Sequence, residues 1–155
     1  MASIKTPCLG ICSTTSVGDV VCRGCKRYAF EVIDWNGYDV EAKSAVLSRI
    51  ERLSTQILEN KLRIFSEPNL RAGLNRFQIP YDELLSPYCW LHNLLKKGHG
   101  RMESLEEYGV YALGNYAGMP LSQLCEIIES DLLLLSEAHH ARYFSPTKFG
   151  NKSRP

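Results

Sequence analysis

From about Arg27 onward, apolar residues recur at spacings of three and four, the pattern of helices with one buried face. Residues 28–35 read as a short helix stopped by Asn36-Gly37. Asp39 then caps a long helix. Val40, Ala42, Val46, Leu47, Ile50, Leu53, Ile57 and Leu58 form its apolar stripe, and Glu41, Lys43, Arg49, Glu51 and Arg52 fall off it. It is expected to end between Asn60 and Ile64. Ser66-Glu67-Pro68 opens a helix carrying Leu70, Leu74 and Phe77, broken at Ile79-Pro80. Ser86-Pro87 starts another, an N-cap followed by proline at the first helical position, with Gly98 as its stop. The capping-box spacing of Ser104 and Glu107 predicts a helix through Tyr108, Tyr111 and Ala112. After a break from Gly114 to Pro120, a last helix is expected from Leu121 to Arg142. No strand-like alternation stands out, so the expected class is all-α, with about five or six helices counted from start and stop signals.

The first 27 residues differ. They hold Pro7, Gly10, Gly18, Gly24 and four of the six cysteines, and no apolar period is sustained. Such a segment is expected to bury too little apolar surface to order itself. The organisation that follows is a module over 1–60, a helical extension over 61–144, and a disordered tail over 145–155.

Composition narrows the picture modestly. The formal net charge is +1, so whole-molecule attraction to nucleic acid or anionic membrane is not indicated. Residues 61–101 carry seven Lys/Arg and three Asp/Glu, whereas 102–142 carry one Arg and seven Asp/Glu. Beyond residue 143, Lys148, Lys152 and Arg154 add cations; solvated helix faces that differ in sign are the leading account of this pattern, with a binding patch as the alternative. No apolar run approaches the roughly 18 residues of a membrane span. Nor does the N-terminus show the apolar core of a secretion signal, so a cytoplasmic protein is expected. Thiols stay reduced in that compartment, and clustered cysteines there point to metal or redox chemistry.

The cysteines read C-x3-C-x9-C-x2-C: Cys8, Cys12, Cys22 and Cys25. Gly10 and Gly24 sit inside the pairs, and the intervening loop is long enough to bring one pair back to the other. Four thiolates in tetrahedral array suit Zn²⁺ or iron in a cluster. A full set of four leaves no open position, so the zinc reading is a structural site that supplies folding free energy. Neither common ferredoxin spacing is present, which leaves an iron–sulfur cluster as the alternative.

The same residues carry a resemblance. Pro7-Cys8, Gly10, Cys12, Cys22-Arg23-Gly24-Cys25, Arg27, Glu31, Ile33, Trp35, Glu41-Ala42-Lys43 and Val46-Leu47 resemble a bacterial family of unknown function, domain-of-unknown-function family 1289, over residues 7–47. Members are often described as predicted iron–sulfur proteins. The resemblance implies a bacterial cytoplasmic protein whose four cysteines act together, and it implies no reaction. The extension 61–155 resembles no family.

Other candidates read as structure. Cys89 and Cys125 lie among apolar helix residues, as buried thiols do. His92 reads as a packed or surface histidine. His99 with Lys96, Lys97 and Arg101 suits a helix C-terminus, with phosphate binding as the functional alternative. His139 and His140 are adjacent on a helix and diverge by about 100°. Glu126 and Glu129 are placed on an exposed face. The leading function is therefore a structural zinc knuckle in a binding or adaptor module. Arg23, Lys26 and Arg27 would face the partner, a protein first and an RNA second, with no membrane; Trp35 is expected to pack against the metal loop and the long helix, with partner contact as its second reading. An iron–sulfur protein in electron transfer or redox sensing is the alternative. An enzyme using Tyr81, Tyr88, Tyr108, Tyr111 and Tyr116 of the extension ranks last, because no catalytic constellation stands out.

Overall fold

The computed structural model describes residues 13–16 and 18–144. Cys8, Cys12 and the tail 145–155 with its predicted disorder lie outside the described residues. The described chain is helical. It has a single turn, α1 (Ser13–Ser16), and five helices: α2 (Ala29–Asp34), α3 (Val40–Glu59), α4 (Glu67–Arg76), α5 (Pro87–Gly98) and α6 (Leu121–Tyr143). Short 3-10 turns follow α2 and α5 and flank a small antiparallel ladder of β1 (Leu62–Ile64) and β2 (Val110–Ala112).

The helix starts follow local chemistry. Asp39 Oδ1 accepts from the Ala42 amide at 2.8 Å at the head of α3. Ser66 Oγ accepts from Asn69 N at 3.3 Å, and Ser86 Oγ from Tyr88 N at 3.1 Å, each ahead of a proline in the first turn. Each such cap satisfies an amide that the helix itself leaves without a partner.

The ladder departs from expectation. The helix predicted from Ser104 through Ala112 lasts one 3-10 turn, Glu106–Tyr108. Gly109 then takes φ +74°, and a Cβ there would lie 2.2 Å from the Ser66 carbonyl oxygen. The Gly109 carbonyl accepts from Phe65 N at 2.7 Å and Ser66 N at 3.2 Å. Val110 then pairs with Ile64, Tyr111 with Arg63 and Ala112 with Leu62. A left-handed glycine thus converts the chain from helix to strand where a helix signal would carry it on.

Contacts divide the chain into two units. One comprises residues up to Ile50 with those from Leu132, and the other Glu51–Asp131. In the first, Val21, Tyr28, Trp35, Val46 and Leu132 are buried. In the second, Leu58, Leu62, Leu70, Leu74, Leu91, Leu94, Leu124 and Ile128 are almost fully buried. Lys61, itself buried, pairs with Asp131 at 2.7 Å and lies 5.1 Å from the Tyr116 ring centre.

The helical class is found, and the four-cysteine knuckle expected on it is corrected. Among the described residues no three His, Cys, Asp or Glu side chains gather as a metal site requires. The premise that this segment cannot order itself fails at 21–28. Val21 and Tyr28 are fully buried and face each other in a β-bridge, with Cys22 N donating to Arg27 O at 2.8 Å. Apolar burial and backbone hydrogen bonds supply the order that the metal was invoked to provide.

Candidate functional site

The segment Val21–Tyr28 doubles back through a turn at Arg23–Cys25. Lys26 N donates to Cys22 O at 2.8 Å, and Arg23 N to Ser13 Oγ at 2.8 Å. Lys26 sits at φ +68°, a left-handed conformation for a residue with a side chain. Its ammonium folds back onto the carbonyls of Arg23 and Gly24 and is buried there. Arg27 Nε donates to Cys25 Sγ at 3.3 Å, and its guanidinium lies 4.9 Å from the centre of the Trp35 ring. Lys43 of α3 lies 5.6 Å from the same ring.

The two thiols differ. Burial pushes both up, but at Cys22 the amides of Cys25, Ser13 and Gly24 and the Cys25 thiol bring the net shift below the usual thiol value. At Cys25 burial wins over Arg27, and the shift is upward. Of the four predicted ligands these two lie among the described residues; Cys8 and Cys12 do not. A pair is not a metal centre, and among the described residues no third ligand joins it. The Zn²⁺ and iron–sulfur expectations, and the functions built on them, are therefore corrected. Within the turn, Arg27 donates to Cys25 Sγ and Lys26 to the Arg23 and Gly24 carbonyls.

Of the residues expected to face a partner, Arg23 has an exposed side chain, paired with Asp19 at 2.9 Å. Lys26, Arg27 and Trp35 are buried: Arg27 joins Cys25 to the Trp35 ring, and Lys26 is held on the Arg23 and Gly24 carbonyls.

Next to this turn stands a network that sequence reasoning missed. The Glu31 carboxylate accepts both terminal nitrogens of Arg49, at 2.6 and 2.7 Å, and the Tyr28 amide at 2.9 Å. Glu31 and Arg49 are 4% and 7% exposed, so the pair is truly interior. Arg49 Nε finds no hydrogen-bond partner; the guanidinium lies 3.8 Å from the Tyr28 ring centre instead. Tyr28 Oη meets His139 Nδ1 at 2.7 Å, and His140 packs edge-on at 4.9 Å between centroids. Buried polar groups joined by a bidentate ion pair of this kind fix geometry, although Arg49 Nε stays without a hydrogen bond.

What the network fixes is α2, which leaves Phe30 and Ile33 open to water beside the exposed Asp34. Ile33 is 73% exposed, Val20 51%, Phe144 45% and Phe30 39%. Ala29 N donates to Val20 O at 2.8 Å, which sets Val20 at the start of α2. Phe30 lies 5.7 Å from Phe144, ring to ring. Their signal in the sequence, Phe30 and Ile33 three apart on one helix face, reads equally well as core.

Residues 6–53 match the family described as a protein of unknown function (DUF1289). The match agrees with the resemblance drawn from residues 7–47, and it ends inside α3. The DUF1289 segment thus contains the Cys22–Cys25 turn, the Glu31–Arg49 pair and three residues of the apolar face. No curated protein and no solved structure matches the chain.

In the second unit the remaining candidates are occupied structurally. His92 Nε2 meets Glu129 Oε2 at 2.5 Å, with His92 buried and Glu129 half-buried. His99 Nδ1 lies 2.9 Å from the Leu95 carbonyl oxygen, consistent with a helix cap. Burial, reinforced by Glu129, pushes the Cys125 thiol up to about 11, which makes it a poor nucleophile. Cys89 is buried beside Thr55.

Proposed function

We propose that the DUF1289 segment is a docking module for a protein partner, with Phe30 and Ile33 of α2 at the centre of the contact. The observation that carries this reading is the cluster of large apolar side chains left open to water on a helix anchored from beneath. Contiguous exposed apolar surface is unfavourable in water and marks interaction surfaces. The Glu31–Arg49 pair holds α2 in place, so the face is formed before a partner arrives and little ordering is spent on binding. Arg23, paired with Asp19 beside Val20, supplies a charged group near this surface. Cys89 and Cys125 stand as free thiols, in keeping with a reducing compartment, and the reading places the protein in the cytoplasm.

No helix among the described residues is long and apolar enough to cross a membrane. The test is a photo-crosslinking amino acid at position 33 of the full chain in cells. One discrete adduct with another protein, lost when Phe30→Asp is added, is expected. An adduct that survives Phe30→Asp, or none at all, would reject the face as a docking site. An adduct of two copies of this chain would replace the partner with self-association.

A further inference from the structure

The second unit carries a pair of exposed arginines on one aromatic ring that none of the preceding accounts for. Arg76, at the end of α4, lies 5.3 Å from the centre of the Phe77 ring, and Arg101, in the turn after α5, lies 4.4 Å from it. Phe77 is drawn between the two elements because Gly98 lets it close: a Cβ there would meet Phe77 Cδ2 at 3.2 Å. Tyr108, itself buried, backs the Phe77 ring at 5.8 Å between centroids, which leaves the half-buried Phe77 ring and the two guanidinium planes as the flat groups open to solvent. Both arginines are exposed, and among the described residues neither makes an ion pair with a carboxylate. Lys97 is exposed in the last turn of α5, and Glu103, Glu106 and Glu107 are exposed in the segment that follows Arg101. Beside Arg76 opens a shallow pocket of about 90 Å³, lined by Asn69, Ala72, Gly73, Arg76, Glu107 and Tyr108.

We propose that this surface binds single-stranded nucleic acid. Two like charges held to one ring repel each other, and a phosphodiester bridging them removes that repulsion. Planar guanidinium and aromatic faces are what unstacked bases pile on, an interaction that every base offers. An acidic peptide would use the charges but gain nothing from the stacked planes. A duplex keeps its bases stacked on one another and away from the pocket. There the Asn69 amide and the Glu107 carboxylate supply a donor and an acceptor to a base edge. The net charge of +1 gives no long-range pull, so binding must come from this patch.

The test is fluorescence anisotropy of the full chain with a labelled single-stranded RNA of about 12 nucleotides. Saturable binding that weakens between about 50 and about 200 mM salt is expected. Arg76→Glu with Arg101→Glu should weaken it at least about tenfold, with the circular dichroism spectrum unchanged. The charge-preserving pair Arg76→Lys with Arg101→Lys should still lose affinity, because the ammonium does not stack. Full affinity in the lysine pair, unchanged affinity in the glutamate pair, competition by polyglutamate as effective as by unlabelled RNA, or no binding would each overturn the proposal.

Discussion

Glu31 and Arg49 show how much a single interior pair can decide. Their bidentate contact is closed off from water, and removing one partner leaves the other charge buried and alone. Glu31→Ala is expected to cost roughly 3–5 kcal/mol in urea unfolding, whereas Glu31→Leu with Arg49→Met should cost clearly less. Equal losses in the two variants would mean that the pair is not desolvated as described. Gly73 makes a second residue-scale prediction. A Cβ there would lie 2.3 Å from Tyr108 Cδ1, so Gly73→Ala must push the ring aside. A loss of about 1–3 kcal/mol is expected, despite the better helix propensity of alanine. Neither residue was legible beforehand. Arg49 falls off the apolar stripe of α3, where the default reading is a solvated charge, and Gly73 looks like any glycine in a helix.

At the scale of elements, the helix starts were the most legible feature, because a cap needs only residues close in sequence. Ser86 is placed by its own side chain, and Ser86→Ala should cost about 1 kcal/mol of unfolding free energy. The predicted helix from Ser104 through Ala112 failed because the ladder to β1 joins residues far apart in sequence. The C-terminal end of α6 adds a pH dependence. His140 faces Tyr28, with Glu31 of α2 and Arg49 of α3 nearby. Burial pulls its affinity for a proton below the usual histidine value of 6.5, Glu31 raises it and Arg49 lowers it. The folded state therefore binds fewer protons than the unfolded chain once the pH drops below that value. The contribution of His140 to stability is present above about pH 6.5 and declines as the pH falls toward its folded-state value. Urea midpoints should fall between about pH 7 and pH 5.5, and His140→Gln should flatten the decline. A decline of the same size in that variant would assign it to other groups.

For the whole molecule, two proposed surfaces lie in different units: an apolar face in the segment that the family model matches and the arginine-flanked Phe77 in residues 51–131. They use different chemistry and share no residue. Charge reversal at Arg76 and Arg101 should leave crosslinking at position 33 unchanged, and Ile33→Asp should leave RNA affinity unchanged. Loss of both activities in either variant would show that the two surfaces work as one.

The sequence by itself determined the five main helices and the caps at Asp39, Ser66 and Ser86, because periodicity and capping are local. Tertiary structure decided which charges are interior. Arg49, Lys26, Arg27 and Lys61 are cations that a linear pattern assigns to water, and each is buried because a partner from elsewhere in the fold, or a backbone carbonyl brought near by a turn, replaces its hydration. It decided likewise that Phe30 and Ile33 face outward. An apolar side chain carries no mark of its neighbours, and burial is settled only when the rest of the chain has packed.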